Sequence, residues 1–121
     1  MRTLALILIL SGLLIFAAQA SHAASFDCRK ARSPDEIAVC NHHDLSELDT
    51  EMDALWFAYR QLPFLMGMSG VRRDQAGEFL QKRAACGPRL SCLRQLYISR
   101  NKALREDITT ALDDIKRQLN K

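Results

Sequence analysis

The sequence predicts an all-α fold: a small disulfide-stapled helical bundle of three to four helices, the last of them long. Three observations carry this. Leu45, Leu48, Met52, Leu55, Tyr59 and Leu62 recur in steps of three and four, the spacing of one helix face. Cys86-Gly87-Pro88-Arg89-Leu90-Ser91-Cys92 stops one helix at Gly-Pro, offers Ser91 as a cap for the next, and sets a cysteine on each side of the break. No stretch alternates apolar and polar residues as a half-buried strand would.

The chain opens Met1-Arg2, runs apolar from Leu4 to Ala18, and then offers Ala18-Gln19-Ala20 and Ser21-His22-Ala23 as small-residue cleavage sites. That is the pattern of a secretory signal peptide, over residues 1–20 with cleavage near 20–24. Its apolar core of about 15 residues falls short of the roughly 20 that a membrane span needs. No cysteine stands near the cleavage zone to carry a lipid, so no membrane attachment is expected after cleavage. The product expected is periplasmic or secreted, a single domain over 21–121. Its four cysteines, Cys28, Cys40, Cys86 and Cys92, read as two disulfides in an oxidising compartment. A metal site of cysteines with His42 and His43 lacks the C-x-x-C or H-x-x-x-H spacing that such sites use. No cofactor is expected.

Taken in order, Phe26 to Arg32 has no periodicity and reads as an extended arm. Ser33-Pro34-Asp35-Glu36 combines an N-cap, a proline at the first helical position and a glutamate at the third. The short helix that follows carries Ile37 and Cys40 and ends near His42-His43. Asp44 starts the second helix, whose apolar stripe is widened by Trp56 and Phe57 and ended by Pro63. Phe64 to Gly70 holds two glycines and two methionines and no charge, and reads either as a lid over the bundle or as a flexible loop offered to a partner. The third helix runs from Val71 to Cys86 with Val71, Ala76, Phe79 and Leu80 inward. The fourth runs from Cys92 to Leu119 with Leu93, Leu96, Tyr97, Leu104, Ile108, Ala111, Leu112, Ile115 and Leu119 along one stripe. Its tail either packs on the N-terminal arm or pairs with a second copy as a homodimer.

Local pairing, Cys28 with Cys40 and Cys86 with Cys92, closes loops of about 13 and about 7 residues, giving about 3 and about 2.4 kcal/mol in the chain-entropy model. Long-range pairings would close larger loops and score higher. The choice of local pairs therefore rests on geometry: Cys86 and Cys92 flank one corner, and Cys28 lies a short arm from Cys40.

Charge is unevenly spread. From Asp27 to Leu62 eight acids face four bases, and from Pro63 to Arg105 nine bases face Asp74 and Glu78. The favoured reading is that the acidic half pairs with the basic half inside one bundle; the other is a two-signed surface that orients a charged partner. Nucleic acid is a poor fit, because no stacking aromatic is interleaved with the bases. No enzyme is expected: no Ser-His-Asp arrangement stands out, oxidised cysteines are not nucleophiles, and Asp49 and Asp53 read as a solvated helix face.

Several of these residues together resemble a known family. A signal peptide followed by Phe26-Asp27-Cys28-x-Lys30-Ala31, Glu36, Cys40, Leu45-x-x-Leu48-Asp49 and Tyr59, then Phe79-Leu80-x-x-Arg83-x-x-Cys86-Gly87, Cys92-Leu93, Tyr97 and Arg100, is similar to the N-terminal domain of the LprI lysozyme-inhibitor family. The match reaches to about Leu104. This chain has Phe79 where the family often has Trp, and it lacks the named member's lipid attachment. The resemblance implies a small exported helical protein whose partner is a lysozyme. Such enzymes work with two carboxyl groups in a cleft, so an inhibitor is expected to bring donors there on a narrow segment. Met68, Ser69, Arg72 and Arg73, beside Gly67 and Gly70, suit that role, and the acidic face of Asp44, Glu47 and Glu51 could attract a basic enzyme. The alternative is an envelope protein–protein interaction module without lysozyme inhibition.

Overall fold

The computed structural model describes residues 24–63 and 68–121. The predicted signal peptide and residues 64–67 of the predicted apolar segment lie outside them. Four α-helices are seen among the described residues: α1 Pro34–Asn41, α2 His43–Gln61, α3 Met68–Cys86 and α4 Leu90–Leu119. The expected all-α bundle with a long last helix is what forms.

The arm before α1 is not fully extended. Asp27 accepts the Arg29 N–H at 3.1 Å, which folds Cys28–Lys30 into one turn of 3-10 helix. Ser33 and Glu36 close the capping box of α1, and Glu36 also takes the Arg32 N–H at 2.9 Å. One extended residue, His42, separates α1 from α2. Ser46, in the first turn of α2, donates its hydroxyl to the Val39 carbonyl at 2.6 Å and satisfies an end group of α1. Asp44 does not begin α2 as a cap; the helix starts at His43 and the Asp44 carboxylate is turned to Arg94.

Paired residues fix the directions of the helices. Asp44 meets Arg94, Leu48 meets Asn101 and Glu51 meets Arg105, so α2 and α4 run parallel. Helix α3 returns between them: near its start Arg72 reaches Arg60 and Leu62, and near its end Arg83 reaches Asp35. These contacts bear out the favoured reading of the charge, since acids of the first half pair with bases of the second. They also neutralise most of the acidic face: Asp44 and Glu51 hold arginines, and Glu47 lies 3.5 Å from His43. At 1.5 Å per residue, Gln61 at the end of α2 lies alongside roughly residue 115. The tail of α4 therefore runs beside α2 and is not packed on the described N-terminal arm, which meets α2 at Asp49.

The corner between α3 and α4 depends on Gly87, whose φ of 56° puts it in the left-handed region that a helix C-terminus uses. Arg89 rather than Ser91 is the residue at the start of α4. Its side chain folds back to donate to the Cys86 and Ala85 carbonyls, both at 2.9 Å, so it closes the preceding helix. Both disulfides form as the spacing predicted, with Cα–Cα distances of 5.7 Å for Cys28–Cys40 and 5.6 Å for Cys86–Cys92.

The core gathers Val39, Leu45, Phe79, Leu93 and Tyr97, with Cys86 at its edge. Phe79 meets Tyr97 edge-on at 5.2 Å between ring centres. On α1, Ile37 is 44 % exposed while its neighbours Ala38 and Val39 are buried, because the Cys40 link and Ser46 turn that side of the helix inward. Expectations about facing fail on α3 and at the end of α4. Val71 and Leu80 are exposed because Arg72 and Arg83 occupy the inward face of α3. Leu119 lies exposed beyond the end of α2.

Peptide mapping of the unreduced protein should recover Cys28 joined to Cys40 and Cys86 joined to Cys92; a peptide joining Cys28 to Cys86 would contradict the fold. Replacing Cys86 and Cys92 together by serine should lower unfolding stability by about 2 kcal/mol in urea titration, and replacing Cys28 and Cys40 by about 3.

Candidate functional site

A half-open cavity of about 400 Å³ lies where the arm, α2, α3 and α4 meet. Its floor is a buried polar chain that passes through every one of these elements. Asp49 on α2 is fully buried and accepts three hydrogen bonds: from the Ser25 N–H at 2.7 Å, the Ser25 hydroxyl at 2.6 Å and the Tyr97 hydroxyl at 2.7 Å. The Arg83 guanidinium lies against the same Tyr97 hydroxyl, pairs with buried Asp35 at 2.8 Å, and reaches Glu36 at 3.7 Å. It also lies over the Phe26 ring, 5.4 Å from its centre. The reading of Asp49 with Asp53 as a solvated face is thereby corrected. Asp53 is exposed, but Asp49 sits at a stripe position between Leu45 and Met52 and is drawn in by its three donors.

The electrostatics follow from burial and pairing. Burial pushes the Tyr97 phenol up and the Asp49 carboxylate adds to the rise, so Tyr97 stays a neutral donor. Burial alone would raise the Asp35 carboxyl, but hydrogen bonds from Ser33 and Arg83 outweigh it and hold the group below its ordinary value. Arg100 is the exception to the pairing. Its guanidinium stands 5.6 Å from the centre of the Trp56 ring, and burial lowers its pKa. Its Nε has no hydrogen-bond partner among the described residues, and Glu78 and Asp107 act on it only through space.

The wall above this floor is apolar: Met52, Trp56, Ala76, Phe79 and Leu80. Trp56 is half-buried and carries Arg60 on its ring at 5.9 Å as well as Arg100, so it is partly core and partly a surface for cations. It also forms one side of a neighbouring recess of about 460 Å³ with Arg60, Gln61, Arg72 and Arg73.

The expected contact residues Met68, Ser69, Arg72 and Arg73 lie in the first turns of α3 rather than on a loop. Arg72 is not offered to solvent. It is 9 % exposed, stacks on Tyr59 at 4.9 Å, and donates to the Arg60 and Leu62 carbonyls at 3.2 and 3.4 Å, closing the end of α2. Arg73 is exposed. Sequence reasoning passed over Asn101, which is 1 % exposed and donates to the Leu48 carbonyl at 3.1 Å and to Glu51 at 3.0 Å. The available signal was its position, four residues after Tyr97 and three before Leu104 on the buried stripe.

What the site offers is recognition chemistry: an apolar wall, charged groups at its edge and a fixed polar floor. Among the described residues no three His, Cys, Asp or Glu side chains stand together as a metal site would need, and no helix is long and apolar enough to cross a membrane. No protein-family model, no curated protein and no solved structure matches the chain.

The Asp35–Arg83 pair sets an acid dependence. The folded Asp35 carboxyl titrates below its unfolded counterpart near 4, so its contribution to stability is whole above about pH 5 and is lost as pH falls through the folded value. Urea titrations should show that loss in the natural protein and a flatter acid limb in Asp35→Asn. Tyr97→Phe leaves buried Asp49 one donor short and should cost about 1–3 kcal/mol at neutral pH.

Proposed function

We propose that this chain is an exported binding protein of the lysozyme-inhibitor type, acting by covering the cleft of a peptidoglycan-cleaving lysozyme. The observation that carries the reading is where the resembling residues lie. Leu45, Asp49, Phe79, Arg83, Cys86, Leu93 and Tyr97 are buried together, and the four cysteines form two links that flank them. They make one framework rather than a scatter of surface matches. Two disulfides in a domain of about 100 residues suit an oxidising compartment and stabilise a thin core, in keeping with export to the periplasm or beyond.

A cleft with two carboxyl groups calls for donors. Arg73 at the start of α3 and Arg60 at the end of α2 line one recess together with Trp56. In this reading Arg72 holds the corner, and Arg60 and Arg73 make the contact together with Met68 and Ser69.

The mature protein in molar excess should slow cell-wall lysis by a lysozyme. Changing Arg60 and Arg73 together to alanine should weaken inhibition at least about tenfold, the scale of charge-assisted hydrogen bonds lost, with circular dichroism unchanged. No slowing at any excess, across lysozymes of different types, removes the reading. A second reading, an envelope interaction module that pairs through α4, is favoured by Leu112 and Leu119, 43 % and 80 % exposed. Because α4 packs beside α2 for most of its length, the test is substitution, not truncation. Under this reading Leu112→Glu with Leu119→Glu should convert a sedimenting dimer to a monomer.

A further inference from the structure

Of the two arginines that line the cavity over the polar floor, Arg83 and Arg100, one keeps a guanidinium Nε without a hydrogen-bond partner among the described residues. Arg83 is taken up by Asp35 and Glu36, and Glu36 is further used by the backbone of Arg32 and Ser33. Asp49 is saturated by Ser25 and Tyr97. Arg100 remains, half-buried, without a hydrogen bond to Glu78 or Asp107. Its guanidinium is on the Trp56 side, and Trp56 lines this cavity. Glu78 and Asp107 act on it only through space, and holding a partly desolvated cation with a donor unmet costs stability; an anionic acceptor arriving beside it recovers that cost. Asp53, one helical turn before Trp56, lines the same cavity and enters none of the ion pairs described above.

From these observations we infer that the cavity binds a short peptide by its free C-terminal carboxylate. Arg100 meets the carboxylate, Met52, Trp56 and Phe79 pack on an apolar last side chain, and Asp53 faces the free amino end. The volume of about 400 Å³ is at the lower end of the roughly 300–1,000 Å³ usual for small-ligand pockets, enough for two residues and too small for a folded partner. An inorganic anion would use Arg100 but leave the apolar wall uncovered; a simple fatty acid would use both and leave Asp53 idle. The site does not depend on lysozyme inhibition, and either can fail alone.

Trp56 is the chain's one tryptophan, so its fluorescence reports on the cavity directly. The probes are the dipeptide Leu-Phe, its C-terminal amide and its N-acetyl form, titrated into the exported protein. The free dipeptide should give a saturable change. The amide should bind at least about tenfold more weakly, since a charge-assisted pair is lost. The acetyl form should bind roughly two- to fivefold more weakly, the scale of an exposed ion pair. Arg100→Gln should lose the difference between acid and amide, and Asp53→Asn, an exposed change that spares the fold, should lose the difference between free and acetylated forms. The inference is overturned by the absence of a saturable change, or by equal binding of acid and amide to the natural protein. Equal binding of free and acetylated dipeptide likewise overturns the amino-end contact.

Discussion

Everything in this molecule is arranged around keeping Arg83 and Asp49 out of water without leaving either unpaired. A buried charge stripped of its partner costs several kcal/mol, a large share of the stability of a domain this small. Here the partners come from every described element: Ser25 from the arm, Asp35 from α1, Asp49 from α2, Arg83 from α3 and Tyr97 from α4. A slip of one helix by a residue breaks the chain of contacts. Apolar packing makes the bundle collapse; this polar chain selects one register of it.

That division explains what the sequence could and could not say. Helix α2 was legible because its apolar spacing is repeated over five steps, and the corner at Gly87 because glycine, proline and two cysteines all mark the same point. The disulfide pairing was legible for the same reason: each pair is local. Facing was less legible. Val71 and Leu80 looked inward by composition, yet Arg72 and Arg83 took the inward face because each has a waiting set of acceptors that only the folded chain brings near. Asp49, Arg83 and Asn101 all stand on apolar stripes, and a polar residue in such a place is the one trace that a buried network leaves in a linear sequence. Its partners are 24 to 53 residues away and leave no local trace.

The candidate site shows the same limits. The first turns of α3 were expected to act as an open basic segment, and one of the two arginines there instead fastens the end of α2. The cavity was not foreseen at all, because its wall, its floor and the arginine with an unmet donor come from all four helices and the arm. Arg100 drew notice only as part of a resemblance; its environment became visible through Trp56, from a different helix.

The two covalent links share one end of the bundle. Val39, next to Cys40, packs in the same cluster as Cys86 and Cys92. At the far end the closure is made by Arg72 on two carbonyls and by the burial of residues such as Leu104 and Ala111. The molecule is therefore fastened unevenly: cross-linked at one end, and at the other, where the chain itself joins α2 to α3, closed over α4 by side-chain contacts alone.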